Sequence, residues 1–239
     1  MTVTWEELGW ERLAAGVGRC RLPGWDCTVG LVLGQGTALM VDAGSSPAEG
    51  ARLRGAAERL AGGRVTHLAL THPHFDHVLG APALAGAETY AAVGVDALFR
   101  HRADELRADA VRYGLPAADA EEAVDALVPP RHPVSGEWTL DLGGRQALLA
   151  NVGPGHTAHD LAVLVPGSPE VVFCGDLVEE SDAPQAGPDA VPSRWPAALD
   201  RLLALGGADA LYVPGHGAVV DAAFVRRQRD ELAARFGVS

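Results

Sequence analysis

The chain has 239 residues and a formal net charge of -12, long enough for one large α/β domain with a substantial core. It has no run of basic residues, which excludes a phosphate-binding face and with it nucleic acid as a partner. No uninterrupted apolar stretch approaches the roughly 18 residues of a membrane span. All 19 Lys+Arg positions are arginine, isoleucine is absent, and Asn151 is the single asparagine, a bias that suggests a GC-rich bacterial gene. Without lysine, any anionic substrate group must be held by arginine, backbone N–H or metal.

The opening Met1-Thr2-Val3-Thr4-Trp5-Glu6-Glu7 lacks the basic segment and apolar core of a secretory signal. Cys20, Cys27 and Cys174 are odd in number and scattered, so they read as free thiols of a reducing cytoplasm. From Val17 to Leu39 the pattern is a β-meander, with Gly34-Gln35-Gly36 as a hairpin turn between two apolar runs. The second run ends at Val41-Asp42-Ala43-Gly44. Asp42 is there either a turn-starting carboxylate or a group that orients a metal ligand from behind.

Ser46-Pro47-Ala48-Glu49 opens a helix expected to run to about Leu60, with Ser46 as its cap and Pro47 in its first position. A buried strand over Val65 to Leu70 follows and delivers Thr71-His72-Pro73-His74-Phe75-Asp76-His77. Three imidazoles and a carboxylate within six residues, on a loop after a strand, are a usual way to hold a borderline divalent cation such as zinc. A short helix is expected from His77 to Leu84 and a strand from Glu88 to Ala92.

Residues 95–128 turn helical, with Gly114-Leu115-Pro116 separating two helices. They form either an insertion over the site or a plain crossover, and His101 within them reads as solvated. β pattern returns after Pro130: strands over 138–140, 146–150, 161–165 and 171–174, a polar loop to Pro192, a helix from Ser193 to Leu205 capped by Ser193, a strand over 211–213 and a last helix from Asp221. Asp42, His156, Asp176 and His216 share one setting: a strand ends, Gly or Pro turns the chain, and one potential ligand is exposed there. Cys174 is expected on the strand face of Asp176 as a buried structural thiol. His159 reads either as a proton shuttle or ligand-orienting group or as a structural histidine.

The series Val41-Asp42-Ala43-Gly44, Thr71 to His77, Gly155-His156-Thr157, Cys174-Gly175-Asp176 and Pro214-Gly215-His216-Gly217 resembles the metallo-β-lactamase-fold hydrolases. All five motifs stand in the family's order and cover most of the chain. The resemblance implies a single αββα sandwich over residues 1–239, with the helical insertion at about 95–128 and two metal ions at the sheet edges. Carried over by position, His72, His74 and His156 would hold the first metal and Asp76, His77 and His216 the second. Asp176 would bridge them, and Asp42 and His159 would support the ligands from behind. Two cations ~3.5–4 Å apart can share a hydroxide at near-neutral pH and polarise a carbonyl; Asp76 and Asp176 are then the catalytic carboxylates. Two Zn2+ are expected, with iron or manganese as alternatives.

Asp176 stands where the commonest zinc β-lactamases have cysteine, and those enzymes also use a lysine and an asparagine for substrate, so antibiotic hydrolysis is at most a weak activity. Asp176 matches glyoxalase II thioesterases and acyl homoserine lactonases, yet only 23 residues follow His216, too few for the glutathione-binding helices of glyoxalase II. The expectation is a cytoplasmic, monomeric or dimeric hydrolase of a small-molecule ester, lactone or thioester. The alternatives are a mononuclear iron enzyme of the persulfide dioxygenase kind, using His72, His156 and Asp176, and a catalytically silent scaffold.

Overall fold

A computed structural model describes residues 3–238. Met1 and Thr2 of the expected signal-free N-terminal stretch lie outside them, as does Ser239. The described residues form two sheets. The first carries β1 (Glu11–Ala14), β2 (Val17–Arg21), β3 (Thr28–Leu33), β4 (Ala38–Val41), β5 (His67–Ala69), β6 (Glu88–Ala92) and β7 (His132–Val134), in that spatial order. Its first four strands run antiparallel, and β4 to β7 run parallel because helical crossovers intervene. The second is ordered β12 (Leu211–His216), β11 (Val171–Glu179), β10 (Leu161–Val165), β9 (Gln146–Asn151) and β8 (Glu137–Asp141).

Helix α1 (Pro47–Ala61) packs outside the first sheet, followed by α2 (Phe75–Val78), α3 (Val95–His101), α4 (Ala103–Arg112) and α5 (Ala117–Asp125). Helices α6 (Trp195–Gly206) and α7 (Ala222–Phe236) cover the outer face of the second. The order of layers is helix, sheet, sheet, helix, the sandwich that the sequence resemblance implies.

Two-residue periodicity sorts the buried strands between the layers. On β10, Leu161, Val163 and Val165 enter the core between the sheets, while Ala162 and Leu164 pack under α6 and α7. The sheets are pinned where the Phe173 ring rests on Gly30: a Cβ there would come within 2.5 Å of the ring, so only glycine lets the ring approach.

Ser46 caps α1 as expected, its hydroxyl accepting from Glu49 N–H at 3.3 Å, and Asp221 caps α7 in the same way. Five expectations need correction. The helix after the histidine loop starts at Phe75, not His77, so Asp76 and His77 stand inside its first turn, and a separate 3-10 turn covers Ala81–Leu84. Residues 95–128 hold three helices, since the chain breaks at Arg102 as well as at Gly114. Short strands β1 and β7 carry little apolar periodicity and escaped notice. Helix α6 begins at Trp195 after a 3-10 turn, without a side-chain cap from Ser193.

The fifth concerns the late motifs. β11 continues through Asp176 to Glu179, and β12 runs to His216, so both residues lie within the last turns of paired strands rather than on loops beyond them. Register between the two shifts between Phe173 and Gly175 and again before Glu179. That irregularity separates Cys174, buried in the outer core with Tyr212 and Leu202, from Asp176, which faces the site.

Candidate metal centre

Strand ends of both sheets converge on Asp176. One group joins His72, His74, His156 and Asp176; a second joins His77, Asp176 and His216, and Asp76 lies beside it, its Oδ2 3.4 Å from His216 Nε2 and 3.6 Å from His77 Nε2. Asp176 belongs to both groups. Its Oδ1 is 3.1 Å from His77 Nε2, and its Oδ2 is 3.2 Å from His216 Nε2 and 3.5 Å from both His72 Nε2 and His156 Nε2.

Each imidazole is anchored through its outward nitrogen, and the anchors fix which nitrogen carries the proton. His156 Nδ1 donates to the Gln185 carbonyl at 3.1 Å and His216 Nδ1 to the Trp25 carbonyl at 2.7 Å. His77 Nδ1 donates to Asp42 Oδ2 at 2.8 Å, and His74 Nε2 to Asp189 Oδ2 at 3.0 Å. His72 Nδ1 lies 3.0 Å from Thr71 Oγ1; that hydroxyl gives its own proton to Asp42 Oδ2 at 2.7 Å and so accepts from the ring. In each neutral ring the inward nitrogen is then a bare lone pair.

Such an arrangement is unfavourable unless something positive stands at its centre. His74 Nδ1 and His156 Nε2 face each other at 3.0 Å, while His72 Nε2 and Asp176 Oδ1 are buried with no hydrogen-bond partner. A divalent cation satisfies all of them, and imidazole with carboxylate is the donor set that suits one. The residues fit the metal that their chemistry implies.

The protonation pattern of the metal-free chain follows from burial and charge. Burial pushes His72 well below the usual imidazole range and His156 down to about 3, leaving both neutral and ready to ligate. Burial would do the same to His216, but the Asp176 carboxylate raises it to about 9; His77 is likewise held well above the usual range against its burial by the carboxylates of Asp176, Asp76 and Asp42. Burial opposes ionisation of Asp176 as well, yet His216, His77 and His72 hold its carboxyl well below the usual carboxylate range. The second group therefore keeps protons that a cation would displace.

Asp42 sits at the end of β4 with a positive φ of 64°. Its Oδ1 accepts from Thr71 N–H at 2.7 Å and its Oδ2 takes His77 Nδ1, so it buttresses the His77 ring from behind. His159 does not join either group: its Nδ1 bonds the Val93 carbonyl at 2.8 Å and its ring packs on Gly94 at the start of α3. His101 is exposed, and His67 and His132 flank Tyr90 on the first sheet, away from the site.

Sequence reasoning missed Asp189, Gln185, Trp25 and Cys27. The Cys27 thiol donates to the Asp76 carbonyl at 3.2 Å and lies 3.7 Å from both ring nitrogens of His77, over the ring face, where burial keeps it protonated. Trp25 and Gln185 act through backbone carbonyls, which no side-chain motif reveals. Asp189 lies in a Pro- and Gly-rich loop with no ligand-like spacing.

Close approach fixes one glycine of the site. A Cβ on Gly215 would stand 1.8 Å from Asp176 Oδ1, so the Pro214-Gly215-His216 turn leaves room for the shared carboxylate only because residue 215 has no side chain.

Comparison with known proteins identifies the family and the fold. Residues 22–216 match the family model of the metallo-beta-lactamase superfamily. A hydroxyacylglutathione hydrolase of Nitrosococcus oceani is 29% identical over 156 residues, 65% of this chain and 49% of that protein, so the chain spans about half the length of this relative. Among solved structures, the DIM-1 metallo-beta-lactamase exposed to ceftazidime superposes with a TM-score of 0.71 at 20% identity, covering 95% of this chain and 96% of the other. A metallo-beta-lactamase from Hirschia baltica gives 0.67 at 17% identity, with 93% and 96% covered. At these identities the structural likeness is one of fold. On its matched family model, which spans residues 22–216, the chain belongs to the metallo-β-lactamase superfamily.

Proposed function

We propose that the chain is a dinuclear zinc hydrolase that cleaves an ester, lactone or thioester bond of a small molecule. One observation carries this reading: inward nitrogens of His72, His74, His77, His156 and His216 converge around a carboxylate, Asp176, that belongs to two ligand groups at once. A bound zinc pair would supply an electrophile for the scissile carbonyl and bring the pKa of water near ~7.

The protein's own residues set up that chemistry. His72, His74 and His156 hold the first position, Asp76, His77 and His216 the second, and Asp176 spans them. Asp42 and Asp189 fix the rings of His77 and His74. Asp76 reaches the same cavity as Asp176, where with the metals bound it would be placed to orient a water. α4 contributes Leu106, Asp109 and Arg112 to the cavity wall, which supports reading the helices of residues 95–128 as an insertion at the site.

The complete second set supports hydrolysis over a mononuclear iron oxidation, which would leave Asp76, His77 and His216 without a task. We further read residues 1–239 as one domain acting in the cytoplasm; among the described residues no helix is long and apolar enough to cross a membrane. Metal analysis with a substrate panel tests the reading. The panel should hold esters, lactones, thioesters including an acyl-glutathione, a phosphodiester and a β-lactam. Two zinc ions per chain with carboxylic ester or thioester cleavage is expected. One iron per chain with persulfide-dependent oxygen uptake would replace it by the dioxygenase reading.

A further inference from the structure

The cavity above the ligands measures about 440 Å³ and its two sides differ in chemistry. One side is aromatic. Trp25 meets Phe75 edge-to-face at 5.2 Å between centroids, and Tyr113, just after α4, stacks on Phe75 at 5.8 Å. Trp25 Nε1 donates to the Tyr113 carbonyl at 3.1 Å and ties this wall together.

The remaining lining is acidic: Glu179, Asp182 and Asp189 contribute to it in addition to the carboxylates of the ligand groups, and Asp109 stands on α4 beside the aromatic wall. Among the described lining residues the single guanidinium is Arg112, and it is spoken for: its Nη2 donates to Asp109 Oδ1 at 2.6 Å and its head lies 5.1 Å over the Tyr113 ring. Asp176 also lines the cavity, so the ligand groups open into it. Away from the metal positions, a substrate carboxylate would lose water and meet like charge, since the one guanidinium of the lining is already paired.

We propose that this pocket takes substrates bearing an apolar, preferably aryl, acyl group and an uncharged or cationic remainder, and that it rejects anionic ones. The inference rests on the hydrolase reading above. Its aryl part follows from the Trp25, Phe75 and Tyr113 wall. Its charge part follows from the rim and the engaged Arg112.

Three phenylacetyl thioesters with one acyl group and different thiols test it on the zinc-loaded chain: thiocholine (cationic), N-acetylcysteamine (neutral) and 3-mercaptopropionate (anionic). kcat/KM should fall in that order, with the first exceeding the last by roughly tenfold at low salt and the gap closing at high salt. Asp109→Asn, which releases Arg112, should move the ratio toward the anionic ester. Tyr113→Ala should raise KM for phenylacetyl but not for acetyl thioesters. An anionic ester turned over as fast as its cationic counterpart overturns the proposal. If none of the three turns over, calorimetric binding of the matching non-hydrolysable thioethers decides the charge order by itself, while failure across all esters, lactones and thioesters sinks the hydrolase reading separately.

Discussion

Asp189 Oδ2 lies 3.0 Å from His74 Nε2, and this contact ties a loop 115 positions further along the chain to one ligand of the first metal group. The carboxylate holds the proton on Nε2 and so leaves Nδ1 facing His156. Such partners are worth about 10–100-fold in metal affinity. Asp189→Ala should weaken retention of one metal by that order in a chelator competition, and Asp189→Asn, which can still accept the N–H, should recover part of it. Equal affinities in all three proteins would mean that the contact does not position the ring.

Gly215→Ala places a methyl group where Asp176 Oδ1 now stands. The carboxylate must move or the β12 turn must shift, an overpacking cost of about 1–3 kcal/mol. We expect a folded protein with lower thermal stability and metal content well below wild type. Retention of the wild-type metal content would show that Asp176 tolerates displacement.

Asp42 satisfies Thr71 N–H, the Thr71 hydroxyl and His77 Nδ1 within a buried site. Removing one partner of a buried ion pair costs about 3–5 kcal/mol. Asp42→Ala should therefore destabilise the metal-free protein by about 3 kcal/mol in urea unfolding. Asp42→Asn should cost less, because an amide oxygen still serves Thr71 and asparagine tolerates the positive φ.

Proton competition makes metal uptake depend on pH. With His216 raised to about 9 in the metal-free chain, binding at the second group must release its proton at any pH below that value. Apparent affinity should therefore rise with pH up to at least about 9. Stability of the metal-free protein runs the other way: the ion pair of His216 with Asp176 contributes fully below the unfolded-state pKa of about 6.5 and is lost as pH rises through about 9. Chelator competition and unfolding, each followed from pH 6 to 10, measure the two slopes.

Much of this site was legible from residue identity and order. The His72 to His77 cluster and the Gly/Pro-flanked His156, Asp176 and His216 could be read because metal ligands need particular side chains at strand ends. The sandwich was legible because α1 and the buried strands carry strong periodicity. What escaped depends on geometry that has no residue signature. Trp25 and Gln185 act through carbonyls that any residue could supply. Asp189 reaches His74 only because its loop folds back over the cleft, and the extension of β11 past Gly175 is set by pairing with β12 rather than by its own sequence. His159 misled because nearness in sequence to His156 suggested a shared site, whereas its ring turns to the Val93 carbonyl.

Metal stoichiometry of the wild-type chain and of Asp176→Ala, measured after exhaustive dialysis against zinc-buffered solution, tests the centre most directly. The shared carboxylate predicts two zinc ions per chain in the wild type and loss of the pair in the variant, with circular dichroism unchanged. An Asp176→Ala protein that keeps both ions and its turnover would contradict the account.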